Sequence, residues 1–258
     1  MLTFAYLIAT FMTLWEVHAT TVKTPTPEIY LFIAGQPPQV NNYRIPAIAR
    51  TAQGTLVTIV EARSANSDCE KKWLVLRRSV DNGTTWGPME DLFGPSQLPG
   101  TQTAGNPAVV YDTVTKALVV LFVIGDATHC NPGMWNMVIS DEGSDGLRWG
   151  KARNVTEGLG KWAGAMPGPG TAAQEPSTGR LLVPLHYGAY GTDVIAISTD
   201  HGATWALSPS LFPKMDEAVV CALPNGSLMV NVRLQSHQRQ PGWRKHLDAS
   251  DSLRRHFD

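Results

Sequence analysis

Apolar residues recur at alternate positions along this chain in short runs. Each run is broken by a cluster of turn-forming residues and resumed by a second run rich in β-branched side chains. The pattern starts at Arg44 as RIPAIARTAQGTLVTIVEAR, and returns at Asn106 as NPAVVYDTVTKALVVLFVIG. Further copies follow at Gly168 (GPGTAAQEPSTGRLLVPLHYG) and Asp216 (DEAVVCALPNGSLMVNVRLQ). A period of two on either side of a glycine-containing or polar turn is the signature of a β-hairpin. In the first copy it predicts strands over Ile45–Ala49 and Leu56–Val60 around a turn at Gln53-Gly54. A third strand is predicted over Trp73–Arg77. No segment sustains an apolar period of 3.6, so helices should be minor.

The first three hairpins each run on into a third strand and a compact turn. Ser79 to Trp86 (SVDNGTTW) and Ser198 to Trp205 (STDHGATW) share Ser, Asp, Gly, Thr and Trp at the same spacing, while Ser140 to Trp149 is a lengthened version. An Asp in such a turn can accept N–H bonds from its own loop, Gly supplies positive φ, and Trp buries a large ring against the next sheet. Asp81, Asp200, Trp86 and Trp205 are therefore read as structural. Repeats of this length with about four strands each point to a β-propeller. Three full blades and the opening hairpin of a fourth are expected over residues 42–235, after a lead-in at 20–41. The stretch 236–258 is polar and basic without an alternating apolar run, and is expected to be an aberrant tail on an incomplete propeller.

Composition agrees with an all-β chain. Of 258 residues 43% are hydrophobic and only 17% charged, with 23 Gly and 18 Pro, which favours turns over long helices. A formal net charge of -1 without a basic block in the repeats argues against nucleic acid as a partner. Leu2 to Trp15 is largely apolar but shorter than the roughly 20 residues of a membrane span. With small residues near Val17-His18-Ala19, it suits a signal peptide over 1–19. The sequons at Asn82, Asn154 and Asn225 are compatible with the same secretory route. Secreted, lysosomal or membrane-associated residence is therefore expected. Three cysteines, Cys69, Cys130 and Cys221, allow one disulfide at most and lack metal-ligand spacing. No metal or cofactor is expected. His129, His186 and His201 show neither ligand nor triad spacing, and Tyr187 and Tyr190 could line a cleft at a strand end.

Tyr43-Arg44-Ile45-Pro46 resembles the R-I-P motif of sialidases, and the S-x-D-x-G-x-T-W turns resemble their Asp boxes. Glu61-Ala62-Arg63, the polar loop ending at Asp68, the Gly168-Pro169-Gly170 block, and Glu217 followed by Arg233 continue in the family's order. The resemblance covers about Tyr43 to Arg233. It implies a six-bladed β-propeller of the sialidase fold, of which about three and a half blades are present. It also implies exo-α-sialidase activity on sialylated glycans of glycoproteins, oligosaccharides and glycolipids, including gangliosides at a membrane surface.

Residue by residue, the resemblance makes Arg44 and Arg233 binders of the sugar carboxylate, a task suited to a planar guanidinium fork. It places Arg63 against the carboxylate or ring hydroxyls. Asp68 becomes the acid/base, its pKa expected to be raised by apolar surroundings. Glu217 becomes the base that activates a tyrosine nucleophile, the family's exception to the usual carboxylate pair. Glu61 is expected to hold neighbouring residues. That tyrosine and a third arginine have no counterpart in this sequence, so little or no hydrolysis is expected of the chain as written. A non-catalytic module binding sialoglycans through Arg44 and Arg233, or a propeller that only scaffolds a partner, are the alternatives.

Overall fold

The computed structural model describes residues 28–35, 40–128, 131–157, 164–187, 192–208, 212–213, 216–233 and 244–247. The expected signal segment and most of the lead-in lie outside them, as do His129, Cys130 and Tyr190. All the sheets lie within Leu31–Asp258, one of the two units into which the chain divides.

The first sheet is an antiparallel meander of β1 (Asn42–Arg50), β2 (Leu56–Arg63), β3 (Lys72–Ser79) and β4 (Glu90–Phe93), in that order. A 3₁₀ turn at Pro95–Gln97 leads to β5 (Gln102–Asp112), β6 (Ala117–Asp126), β7 (Asn131–Ile139) and β8 (Arg153–Asn154) of the second sheet. The next strands are β9 (Met166–Pro167), β10 (Gly170–Thr171), β11 (Ala173–Gln174), β12 (Leu181–Tyr187), β13 (Thr192–Ser198), β14 (Ala206–Leu207) and β15 (Phe212–Pro213). The third sheet runs β11-β12-β13-β14, with β9 on β12 and β15 on β13, while β10 pairs parallel to β5 of the second sheet. In the fourth, β16 (Ala218–Ala222), β17 (Leu228–Val232) and β18 (Arg244–Leu247) pair antiparallel.

Each predicted hairpin is present. The tail departs from expectation, because Arg244–Leu247 supplies a third strand to the fourth sheet. Backbone pairing to the open edge of β17 needs no alternating apolar side chains, so the sequence pattern does not reveal it.

The core lies between sheets. Successive side chains of a strand face opposite ways, so each sheet contributes one set of residues to each neighbour. Val109, Leu118, Val120 and Phe122 pack with Ile59, Leu74 and Leu76 of the first sheet. Val110, Val119, Leu121 and Val123 pack with Leu181, Val183 and Val194 of the third. Leu182, Ile195 and Ile197 pack in turn with Val220, Leu228 and Val230. Sheets stacked face to face in series, each led by its first strand, form a propeller.

The compact turns close the outer ends. Ser79 Oγ donates to Asp81 Oδ1 at 2.8 Å and accepts from the Gly83 N–H, while Thr85 gives its N–H and hydroxyl to the two Asp81 oxygens at 2.9 and 2.6 Å. Ser198, Asp200, Gly202 and Thr204 repeat these bonds. The lengthened turn keeps the end of the device: Trp149 Nε1 donates to Gly146 O at 3.0 Å, as Trp86 does to Gly83 O at 3.1 Å.

Candidate functional site

Three inner segments begin alike, with a residue of positive φ followed by proline: Ile45 (φ 57) before Pro46, Asn106 (φ 52) before Pro107, and Gly168 (φ 60) before Pro169. Register breaks between Arg44 and Ala47 in β1 and between Gly105 and Ala108 in β5. Proline has no N–H to give the ladder, so a bulge is where it fits. Positive φ is natural for Asn and Gly but strained for a β-branched residue. Ile45 holds it next to Arg44, and bulges of this kind re-aim a side chain beside functional sites.

Arg44, Arg63 and Asp68 come together at that end of the first sheet. Asp68 Oδ1 lies 2.6 Å from Arg63 Nη1 and 3.2 Å from Arg44 Nη1. The Arg44 and Asp68 side chains are 47% and 70% exposed, whereas that of Arg63 is 2% exposed. Beneath them Glu61, fully buried, accepts from Arg63 Nε at 2.7 Å and from Nη2, and its other oxygen accepts from the Asn106 N–H at 2.7 Å. Lys72 Nζ donates to Asp68 O at 2.8 Å and stands 4.0 Å from Glu61. A Cβ on Gly105 would lie 2.5 Å from Glu61 Oε1 and 2.7 Å from Lys72 Cε, so the close fit requires glycine.

Two expectations change here. Arg63 is consumed by Glu61 and Asp68 and offers little surface to a ligand, because β2 carries it into the packed interior. The Asp68 carboxyl is held below its ordinary value, first by the hydrogen bond from Arg63 and then by the charges of Arg63, Arg44 and Lys72. Its surroundings are cationic and open where an apolar pocket was expected. Burial pushes the Lys72 ammonium down against the pull of Glu61. The sequence pattern assigns Lys72 no role. Its place opposite Arg63 in the β2–β3 register was the available signal.

Glu217 and Arg233 meet on the fourth sheet. Arg233 Nη1 donates to Glu217 Oε2 at 2.7 Å and lies 3.7 Å from Asp216 Oδ2. With Pro169 and Asn231 they line a cleft of about 260 Å³. The Gly168–Gly170 segment bridges the two clusters. A Cβ on Gly170 would stand 3.7 Å from Pro46 O and 3.6 Å from Val219 Cγ1, and the Ala218 N–H donates to Gly168 O at 3.1 Å. The Arg44 end of β1 and the Glu217 end of β16 thus flank one loop.

His186 is 3% exposed, with Nδ1 unpartnered, and burial lowers its pKa despite the carboxylates of Asp216 and Glu217. In the sequence it shows neither ligand nor triad spacing. A larger opening of about 820 Å³ lies toward the other ends of the inner strands, among Ile48, Val109, Tyr111, Gln174 and Cys221. Among the described residues no group of three or more His, Cys, Asp or Glu is placed to hold a metal.

This propeller, with Arg44 near the start of β1 and Glu217 just before β16, has a sialidase-type fold. In sequence as well the chain is similar to sialidases. It is 30% identical over 217 residues to Sialidase-2 of Rattus norvegicus, covering 73% of this chain and 56% of that protein. To a sialidase of Bacteroides fragilis it is 30% identical over 218 residues, covering 74% and 39%. The chain thus spans little more than half of the first relative and less of the second. A Hadza microbial sialidase structure superposes with a TM-score of 0.69 at 26% identity, over 83% of this chain and 45% of that one. A leech intramolecular trans-sialidase shares the fold, with a TM-score of 0.66 at 16% identity, over 88% and 54%. No family model matches the chain.

Proposed function

We propose that this chain contributes the first part of an exo-α-sialidase site, binding terminal sialic acids of glycoproteins, oligosaccharides and glycolipids. The juxtaposition of Arg44 with Asp68 at the bulged start of β1 carries the reading. Sialic acid bears a carboxylate at its anomeric carbon, so a guanidinium that recognises it stands beside the glycosidic bond. Arg44 is half exposed and pairs with Asp68. An entering carboxylate would take Arg44 into a charge-assisted pair. That exchange removes one cation from Asp68, while the sugar ring excludes water from it. Both effects raise its proton affinity toward that of a general acid. Glu61 fixes Arg63, and Arg63 fixes the Asp68 carboxylate in place. Glu217, bound to Arg233, is suited to accept a proton from a neutral nucleophile.

The disulfide at Cys69 supports an oxidising, secretory location. It also ties down the loop that carries Asp68. Substrates at a membrane surface fall within the same carboxylated class.

Binding of a sialoside to the full chain, titrated by NMR, tests the reading. Arg44→Ala and Arg233→Ala should each weaken binding at least tenfold, the loss of one charged hydrogen-bonding group. Asp68→Asn should leave affinity within a few-fold. Affinity indifferent to both arginine substitutions would overturn it.

A further inference from the structure

We propose that Lys71 and Lys72 are positioning residues for Asp68, holding its loop from opposite faces of the chain as it enters β3. The inference rests on the acid/base role given to Asp68 above.

The loop between β2 and β3, residues 64–71, has little apolar surface to bury. It reads SANSDCEK, and none of these residues is buried. Polar contacts must therefore offset the entropy of fixing it. A Glu-Lys-Lys run in such a loop is ordinarily a solvated face, since lysine loses more side-chain freedom than most residues when held. Here both ammonium groups turn inward, onto main-chain carbonyls. Lys72 Nζ donates to Asp68 O at 2.8 Å and stands 4.0 Å from Glu61 Oε1, its side chain 13% exposed. Lys71 Nζ donates to Leu98 O at 2.7 Å and to Gly100 O at 2.8 Å, and Leu98 is buried.

Successive side chains of an extended chain face opposite ways, and the two lysines grip different parts of the fold accordingly. Lys71 ties the end of the loop to the connection between the first and second sheets. Lys72 reaches back under the loop itself, and its own N–H donates to Thr103 Oγ1 on β5 at 3.1 Å, which roots the grip in the second sheet. Asp68 is thus held at two points, its carboxylate by Arg63 at 2.6 Å and its carbonyl by Lys72. The second hold comes from the main-chain side and leaves the Asp68 side chain 70% exposed to a ligand. Carbonyl partners also leave the Lys72 charge in place, and it joins those of Arg63 and Arg44 in favouring the carboxylate. A proton donor must stand within hydrogen-bond reach of the oxygen it serves. A misplacement of about 1 Å can cost about 100-fold in rate, which is the use of a fixed main chain here.

The test uses the full chain without sugar, so its failure is separate from failure of the sialoside reading. Lys71→Met and Lys72→Met are compared with the unsubstituted chain by amide exchange and by carboxyl-detected NMR titration of Asp68, with the Cys69 disulfide intact in each. The Ser64 N–H bonds Lys71 O at 2.9 Å across the mouth of the loop. It should exchange at least tenfold faster in both variants, the loss of one charged hydrogen bond, while β2 and β3 keep their protection. Lys72→Met should also raise the Asp68 midpoint, and Lys72→Arg, which restores the cation, should bring it back. Ser64 exchange unchanged in both variants would overturn the inference, the disulfide then being sufficient to hold the loop. An Asp68 midpoint indifferent to Lys72→Met would overturn it too, as would protection lost throughout β2 and β3, which makes the lysine part of the sheet packing alone. Should Lys72→Met fail to fold, Lys71→Met and Lys72→Arg still read the loop and the midpoint.

Discussion

Glu61 has no exposed surface, yet it joins four groups: the Arg63 guanidinium, the Asn106 N–H, the Lys72 ammonium and, through Arg63, the Asp68 carboxylate. A buried ion pair contributes little over a well-packed apolar pair, but removing one partner strands the other charge. Glu61→Gln should therefore cost about 3–5 kcal/mol in a urea denaturation series. Glu61→Leu combined with Arg63→Met should recover much of that loss while leaving Asp68 without its anchor. The sequence suggested that Glu61 holds its neighbours, since a carboxylate two positions before Arg63 on one strand points the same way. It gave no warning that Arg63 would be used up in that role, because depth within a sheet stack is not written in local spacing. The lowered proton affinity of Asp68 was hidden for the same reason. Its cause is Arg63, five residues back, together with Arg44, 24 residues away.

At the level of elements, the compact turns are the most self-contained devices in the chain. The Thr85 hydroxyl and N–H, with the Ser79 hydroxyl, hold the Asp81 carboxyl at about 2 against an ordinary 3.8. A depressed folded value means stability that is fully present above 3.8 and lost as pH falls through 2. A carboxyl-detected NMR titration should find the Asp81 midpoint near 2, and Asp81→Asn should flatten that part of the stability profile. Such turns were legible because Ser, Asp, Gly, Thr and Trp meet within eight residues. The hairpins were legible for a similar reason, their alternation being local. The short outer strands β4, β8 and β18 were not, since two to four residues carry too little pattern and pair through backbone alone. The bulge at Ile45 was also unreadable. Asn and Gly before proline advertise positive φ, whereas Ile does not.

In the whole molecule, cohesion passes from sheet to sheet through a few polar contacts set in the apolar packing. Asp112 is fully buried and receives Thr115, the Val114 N–H, Gln174 and His201, the last two from the third sheet. Burial alone would raise its pKa, but those bonds hold it below the ordinary value. Asp112→Ala leaves Gln174 and His201 without this acceptor and should cost about 2 kcal/mol. Hydrogen exchange should then quicken in β12 and β13 while β2 and β3 keep their protection. The alternation that builds each interface also imposes a reading frame on the fold. A one-residue insertion inside β6 would send Val119 and Leu121 toward the first sheet and Val120 and Phe122 toward the third, spoiling two interfaces at once. The same insertion in the loop between Ser64 and Ser67 shifts no frame. Length polymorphism in this chain is therefore confined by parity to the connections, and the middle strands can change their letters but not their count.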